Sequence, residues 1–201
     1  MSKRILVPIT HGSEEMETII IVDTLIRAGF KVTMAALGED LAILGSRGIM
    51  LMAQQTLATV SSEDFDALAL PGGLEGAQTF ARNAELLTLI DQFQQQGKLV
   101  AAICATPALV LATQQKWRGA KMTCHPKFFE QIPAAQLSRQ RVCYSATQHL
   151  LTSQGPGTAL EFALAMIALL TGTELAQHVA APMVLHSQQL TELLGFIDAQ
   201  S

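Results

Sequence analysis

At 201 residues the chain is long enough for one α/β domain that buries roughly 70% of its unfolded surface, with no need of disulfides or a metal to fold. A hydrophobic share of 49% against 15% charged residues excludes the polar, highly charged profile of disorder. The formal charge of −4, with no Lys/Arg run to override it locally, opposes nucleic acid and anionic membrane surfaces as partners.

The first stretch, "RILVPIT", reads as a short buried strand. Its apolar run stops at Pro8 and lacks the cleavage site of a secretory signal. "GSEEMETIIIVDTLIRAGF" predicts a helix with Ser13 as N-cap, acidic residues in its first turn and Gly29 as its stop. "KVTMAAL" repeats the strand signal. "LAILGSRGIMLMAQ" holds two apolar runs around Ser46, Arg47 and Gly48, which predicts an antiparallel hairpin insertion.

"FDALALPGG" is a strand ending in a glycine turn, "NAELLTLIDQFQQQGK" has helical periodicity, and "KLVAAIC" is a buried strand leading into a helix over "TPALVLA". Residues 113–140 read as irregular, a segment placed to shape one side of a pocket. "RVCYSA" and "HLLTSQ" are strands joined by a turn, and "GPGTALEFALAMIALLTG" is a helix opened near Pro156 and ended at Gly172. Its apolar run falls short of the ~20 residues that a membrane span needs. Beyond a single domain over residues 1–185, residues 186–201 carry Leu190, Leu193, Leu194 and Ile197 at helical spacing and predict an amphipathic C-terminal extension.

This βα alternation predicts a mostly parallel sheet with helices on both faces. Right-handed crossovers then bring the strand-to-helix turns to the carboxyl edge of the sheet, where open α/β folds bind ligands. Four segments meet there: "THGSEE", "LPGGLEG", the turn at Cys104 and "SQGPGT".

Cys104, Cys124 and Cys143 are odd in number and lack CxxC spacing, which points to free thiols in a reducing, cytoplasmic compartment. Cys104 differs from the others in sitting at the break between a buried strand and a helix, the geometry of a nucleophile elbow. Helix N–H groups and the helix dipole are expected to favour its thiolate there. A buried cysteine packed as a small hydrophobe is the plainer reading, and it suffices for Cys124 and Cys143. The N–H groups of Gly73 and Ala105 are placed to receive an oxyanion formed by attack of Cys104 on a carbonyl.

Glu17 heads an inward stripe with Ile20, Ile21 and Thr24, whereas Glu14 and Glu15 face the helix dipole. In apolar surroundings a carboxyl is raised in pKa and can donate a hydrogen bond or shuttle a proton; the plainer alternative is a solvated first-turn acid. His125, in the irregular segment, is a candidate second proton carrier, against the ordinary reading of a loop histidine as a surface group.

Taken together, "GSEEMETIIIVDTLIRAG", "LPGGLEGAQ", "AAICATPA", "TCHP", "LTSQGPGTALEFALAMI" and "VAAPMVL" resemble the ThiJ/PfpI superfamily across about residues 3–185, in the branch that holds YajL and the parkinsonism-associated deglycase. The resemblance implies a flavodoxin-like three-layer sandwich, usually a homodimer, with no cofactor and no metal. It puts Cys104 at the reactive cysteine, Glu17 at its acidic partner, Gly73 and Ala105 at the oxyanion N–H positions, and His125 at the histidine near the thiol. Arg47 falls at an arginine of the hairpin close to the subunit interface.

The implied function is stress protection by a cofactor-independent cysteine enzyme of the glyoxalase or deglycase type, acting on small dicarbonyls or glycated adducts. The alternative is a redox-sensing thiol protein or chaperone whose cysteine becomes a sulfinic acid without turnover. Ala105 stands where the protease-like branch has histidine, which removes the adjacent base and argues against peptidase activity. Thr106 stands where the family more often has Gly or Ala, Gln154 where the human-like branch has Arg, and Met52 where that branch has a second oxidisable cysteine.

Overall fold

The computed structural model describes residues 2–185 and 187–199. Strand β1 (Arg4–Ile9) leads into helix α1 (Glu15–Arg27), followed by β2 (Lys31–Ala36), the hairpin β3 (Ala42–Leu44) and β4 (Met50–Met52), and the short β5 (Gln55–Thr56). Next come β6 (Ala67–Leu70), α2 (Leu74–Phe80), α3 (Ala84–Gln95) and β7 (Leu99–Ile103). The chain finishes with β8 (Val142–Ser145), β9 (Leu150–Ser153), α4 (Ala159–Thr171), α5 (Thr173–Ala180) and α6 (Ser187–Asp198).

Seven strands form one sheet in the order β5-β2-β1-β6-β7-β9-β8. Every pairing in it is parallel except that of β8 with β9 at the edge. This is the mostly parallel sheet that the βα alternation predicts, in the flavodoxin-like α/β arrangement that the resemblance implies. Its strands are buried on both faces, so their side chains alternate between two cores. Ile5, Val7 and Ile9 of β1 pack with Ile21 and Leu25 of α1 and with Phe162 and Met166 of α4. Leu6, Leu68, Leu70 and Val100 point the other way, onto Leu86, Ile90 and Phe93 of α3.

Several local expectations change. The N-cap of α1 is Glu14, whose carboxylate accepts the Glu17 N–H at 2.6 Å, and not Ser13, whose hydroxyl accepts the Thr10 N–H at 3.0 Å. "LEGAQTF", expected as loop, is helix α2, since Gly73 turns the chain so that its carbonyl accepts the Ala77 N–H. "TPALVLA" winds as a π-helix over Pro107–Ala112. Proline at its start has no N–H to enter an α-ladder, and i→i−5 bonds such as Thr113 N–H to Ala108 O appear beyond it. The irregular segment contains a 3₁₀ turn, Pro126–Gln131. In the tail, Leu193, Leu194 and Ile197 are buried on α6, while Leu190 falls outside the residues whose side chains are described.

The hairpin β3–β4 is its own two-stranded sheet, held to the β1–α1 loop. Gly12 N–H donates to Leu44 O, Leu44 N–H to the His11 Nδ1, and Ser46 N–H to Ser13 O, all between 2.9 and 3.0 Å. Glu15 does more than face the helix dipole. Its buried carboxylate accepts the Ser46 hydroxyl at 2.8 Å and the Arg47 and Ile49 N–H groups at 2.7 and 3.4 Å. Burial opposes its charge, but these donors prevail and hold its pKa below the ordinary 4.5.

A depressed carboxyl pKa stabilises above the unfolded value and loses that contribution as pH falls through the lower folded value. Amide exchange at Arg47 and Ile49 is therefore expected to accelerate on acidification below 4.5. Glu15→Ala should remove this pH dependence and cost roughly 2–3 kcal/mol in urea unfolding. Unchanged protection in that variant would show that the hairpin is held by its backbone contacts alone.

Candidate active site

Strand β7 lies inside the sheet between β6 and β9, and its pairing with β9 (Ile103 with Ser153) carries the chain to the carboxyl edge. Cys104 follows with φ of 67°, a left-handed conformation rare for a residue with a side chain and costing about 1–3 kcal/mol. Both its backbone groups are tied down: its N–H donates to Ser153 O at 3.0 Å, and its carbonyl accepts the His125 N–H at 2.7 Å. The buried Thr106 donates its hydroxyl to Pro71 O at 2.7 Å, so the departure from Gly or Ala adds a bond across the elbow.

Two glycines make the approach of the neighbouring turn feasible. A Cβ on Gly72 would lie 2.4 Å from Cys104 Cβ, and one on Gly73, where φ is +91°, would lie 2.1 Å from Gly12 O. No other residue fits either place. The turn so formed sends the Gly72 N–H to Glu17 Oε2 at 2.7 Å and points the Gly73 N–H, with that of Ala105, at the Cys104 sulfur.

Glu17 is fully buried among the apolar residues of α1. Burial, far outweighing the Gly72 bond and the hydrogen bond shared with Cys104, pushes its carboxyl up to about 8, so it is protonated at neutral pH. Its other oxygen, Oε1, has no hydrogen-bond partner.

The thiolate expectation at Cys104 is corrected. Cys104 is 9% exposed, and burial first, with the Glu17 charge second, pushes the thiol up to about 12; the Gly73 and Ala105 N–H groups lower it by less. A six-residue π-helical turn supplies less aligned dipole than the α-helix the sequence predicts. The resting pair is thus a neutral acid beside a thiol.

His125 reaches the same region. A Cβ on Gly155 would lie 3.5 Å from its Cδ2 and 3.9 Å from Glu17 Oε1. Its Nδ1 accepts the Lys127 N–H at 3.3 Å, and burial, aided by the Lys127 charge, lowers its pKa below 6.5. Cys104, Glu17, Gly73, Ala105 and His125 therefore gather at one place, whereas Arg47 lies on the exposed hairpin turn, bonded to Ser46 O. Gln154 is spent on the chain, donating to Arg139 O and Gln140 O at 3.0 and 3.1 Å.

Sequence reasoning places the Gly72–Gly73 turn beside the elbow but not the Gly72 N–H on Glu17, and it missed Ser153 and Gly155, which carry no chemical signature of their own. Cys124, whose thiol donates to His125 O at 3.4 Å, and Cys143 are buried thiols, each raised in pKa by burial.

This constellation has counterparts. The DJ-1/PfpI family matches residues 3–169. The chain belongs to the DJ-1/PfpI family. It is 39% identical over 180 residues to Protein dj-1beta of Drosophila melanogaster, covering 90% of this chain and 96% of that one. Protein DJ-1 homolog B of Arabidopsis thaliana is 35% identical over 92% of this chain, but the chain spans only 42% of that protein.

A relative from Caenorhabditis elegans named Glutathione-independent glyoxalase DJR-1.2 is 29% identical, covering 92% of this chain and 96% of that one. Among solved structures, VC2308 protein superposes with a TM-score of 0.95 at 76% identity, covering 97% of this chain and all of the other. Oxidised Toxoplasma gondii DJ-1 gives 0.88 at 39%, covering 91% of this chain and 98% of that one.

The raised carboxyl has a thermodynamic signature. Its favourable contribution is full below 4.5, the unfolded value, and is lost as pH rises toward the folded value of about 8. Thermal unfolding should show the wild type losing stability between pH 5 and 8. In Glu17→Gln, neutral throughout, that slope should flatten; an unchanged slope would mean that Glu17 ionises normally in the fold.

Proposed function

We propose that this chain is a cofactor-independent cysteine enzyme of reactive dicarbonyls or glycated adducts, of the glyoxalase or deglycase type, working in stress protection in the cytoplasm. The observation that carries the reading is the protonated, buried Glu17 in contact with Cys104 at an elbow whose flanking N–H groups face the sulfur. The relative named as a glyoxalase supports it. Among the described residues no helix is long and apolar enough to cross a membrane.

With methylglyoxal the steps balance without an external oxidant. Sulfur bonds to the aldehyde carbon as the C=O π bond opens, and the protonated Glu17 gives its proton to the substrate oxygen while taking up that of the thiol. The resulting hemithioacetal oxygen is met by the Gly73 and Ala105 N–H groups. The hydrogen on that carbon then leaves as a proton while the neighbouring ketone oxygen gains one, giving an enediol, with Glu17 and His125 as carriers.

Return of a proton to the former ketone carbon, with loss of the proton from the hydroxyl on the sulfur-bearing carbon, gives a thioester. Water cleaves its C–S bond, releasing a 2-hydroxy acid and restoring the thiol. One carbon is oxidised by two electrons and its neighbour reduced by two, which is why no cofactor is needed. A high thiol pKa is tolerable here because the protonated Glu17 takes up the thiol proton only as it passes its own to the substrate, so no free thiolate has to form beforehand.

A second copy of the chain is the proposed partner. Ile49, Met50 and Met52 of the hairpin are 57%, 58% and 64% exposed, and Met16 and Ile19 of the adjoining α1 are also uncovered. An apolar face of this kind marks an interaction surface. Arg47 stands at its rim. Sedimentation equilibrium should give a dimer, shifted toward monomer by Met50→Asp; a monomeric wild type would refute the assignment.

Lactate formation from methylglyoxal, without glutathione, should disappear in Cys104→Ser and fall roughly 100-fold or more in Glu17→Gln. Turnover that survives loss of the thiol would remove the mechanism. A wild type with no turnover, but with Cys104 selectively converted to sulfinic acid by mild peroxide, would favour the redox-sensing alternative.

A further inference from the structure

Helix α6 lies outside residues 3–169 that match the family, and the dicarbonyl chemistry makes no use of it. It completes a cavity instead. A space of about 340 Å³ opens between α6, the start of β8 and the first turn of α4, a volume in the range of small-molecule sites. Its walls include apolar Val142, Leu193 and Phe196 and charged Arg141, Glu161 and Glu192. The cavity is separate from the elbow, although the loop between β9 and α4 borders both. Gly155 of that loop lies against His125, while Gly157 O accepts Arg141 Nη2 at 2.8 Å.

The three charges are not equivalent. Arg141 Nε donates to both Glu161 oxygens at 3.1 and 3.0 Å, and its Nη2 donates to Glu161 Oε1 at 2.7 Å. This forked pair is matched within itself and its charges cancel. An arriving anion would meet a guanidinium already neutralised, with two carboxylates on the same walls. Glu192 has no such partner: its Oε1 accepts the neutral Gln188 Nε2 at 3.0 Å, and among the described residues no cation pairs with it. The cavity therefore holds one surplus negative charge.

That charge sits beside hydrocarbon. Phe196 follows Glu192 by four residues on α6, so carboxylate and ring share one face of the helix, and Leu193 adjoins them on the cavity wall. A metal ion finds too few ligands here, since the described residues bring no three acidic, histidine or cysteine side chains together for one. A neutral apolar molecule would leave the Glu192 charge unanswered. What answers both is a single positive charge joined to an alkyl body.

We propose that the cavity between α6 and the β8 edge is a binding site for a primary alkylammonium, with Glu192 as its counter-charge and Val142, Leu193 and Phe196 packing against its chain. This gives the C-terminal helix a function that does not depend on Cys104.

Hexylammonium, hexan-1-ol and hexanoate share a chain and differ in charge, which makes them the test set. Each is titrated at low salt and pH 7 into the full, nitrogen-15-labelled chain, and the amide shifts of Val142, Glu192, Leu193 and Phe196 report binding. Hexylammonium should saturate these shifts and bind about fivefold or more tighter than hexan-1-ol, with hexanoate weakest. Glu192→Gln, a helix former of equal size on an exposed position, should lower hexylammonium to the affinity of the alcohol and leave the alcohol within about twofold. Glu174→Gln, which removes an exposed acid outside the cavity, should leave the preference intact.

Equal affinity for amine and alcohol in the wild type, a preference that survives Glu192→Gln, or shifts that saturate elsewhere would each overturn the site. Loss of the preference in Glu174→Gln would do the same, by showing only diffuse attraction to an acidic protein. Nα-Acetyllysine methylamide carries the same ammonium on a shorter chain. Its binding alongside hexylammonium supports the site with a protein lysine as the source, and binding of hexylammonium alone supports it with a free amine.

Discussion

A carboxyl buried beside a thiol, with a single backbone N–H as its fixed partner, is the constraint around which this end of the molecule is arranged. Glu17 stands in the first turn of α1, where the Glu14 cap accepts its N–H while its own carboxyl turns inward to Gly72. The Gly72 N–H that meets it exists only because two consecutive glycines let the β6–α2 turn press against the elbow. Replacing either glycine would push the turn away and leave the acid with neither bond nor water. The position of the thiol, the protonation of the acid and the direction of the nearby N–H groups are therefore one problem in packing.

Energetically the site runs against stability. Cys104 holds a left-handed backbone, Glu17 forgoes ionisation over more than three pH units, and one of its oxygens is unsatisfied. Each is a cost that the surrounding sheet absorbs, because β6, β7 and β9 are buried on both faces and cannot relax. The result is a pair that stays neutral until an electrophile arrives, which shields the sulfur from indiscriminate chemistry while keeping a group that can exchange protons in contact with it.

The hairpin and the site share a helix. Glu15 faces outward to the Ser46–Ile49 turn, and Glu17, two residues on, faces the thiol. Three acids in four positions thus do three separate things: Glu14 caps, Glu15 anchors the hairpin, and Glu17 meets the cysteine. Their shared sequence character conceals this, because rotation by 100° per residue sends neighbours to different surroundings.

Periodicity and breaker residues by themselves determined the βα order, the hairpin at Ser46–Gly48, the carboxyl-edge meeting of four loops and the candidacy of Cys104 and Glu17. Those features depend on local pattern and on the fixed handedness of crossovers, which a sequence states directly. Tertiary structure alone decided which acid caps α1, that the segment after Cys104 is π-helical, and that the thiol is raised and not lowered in pKa. All of these are settled by what lies across the site from a residue, through burial and close contacts between segments up to about a hundred residues apart, and local pattern carries no record of such distances.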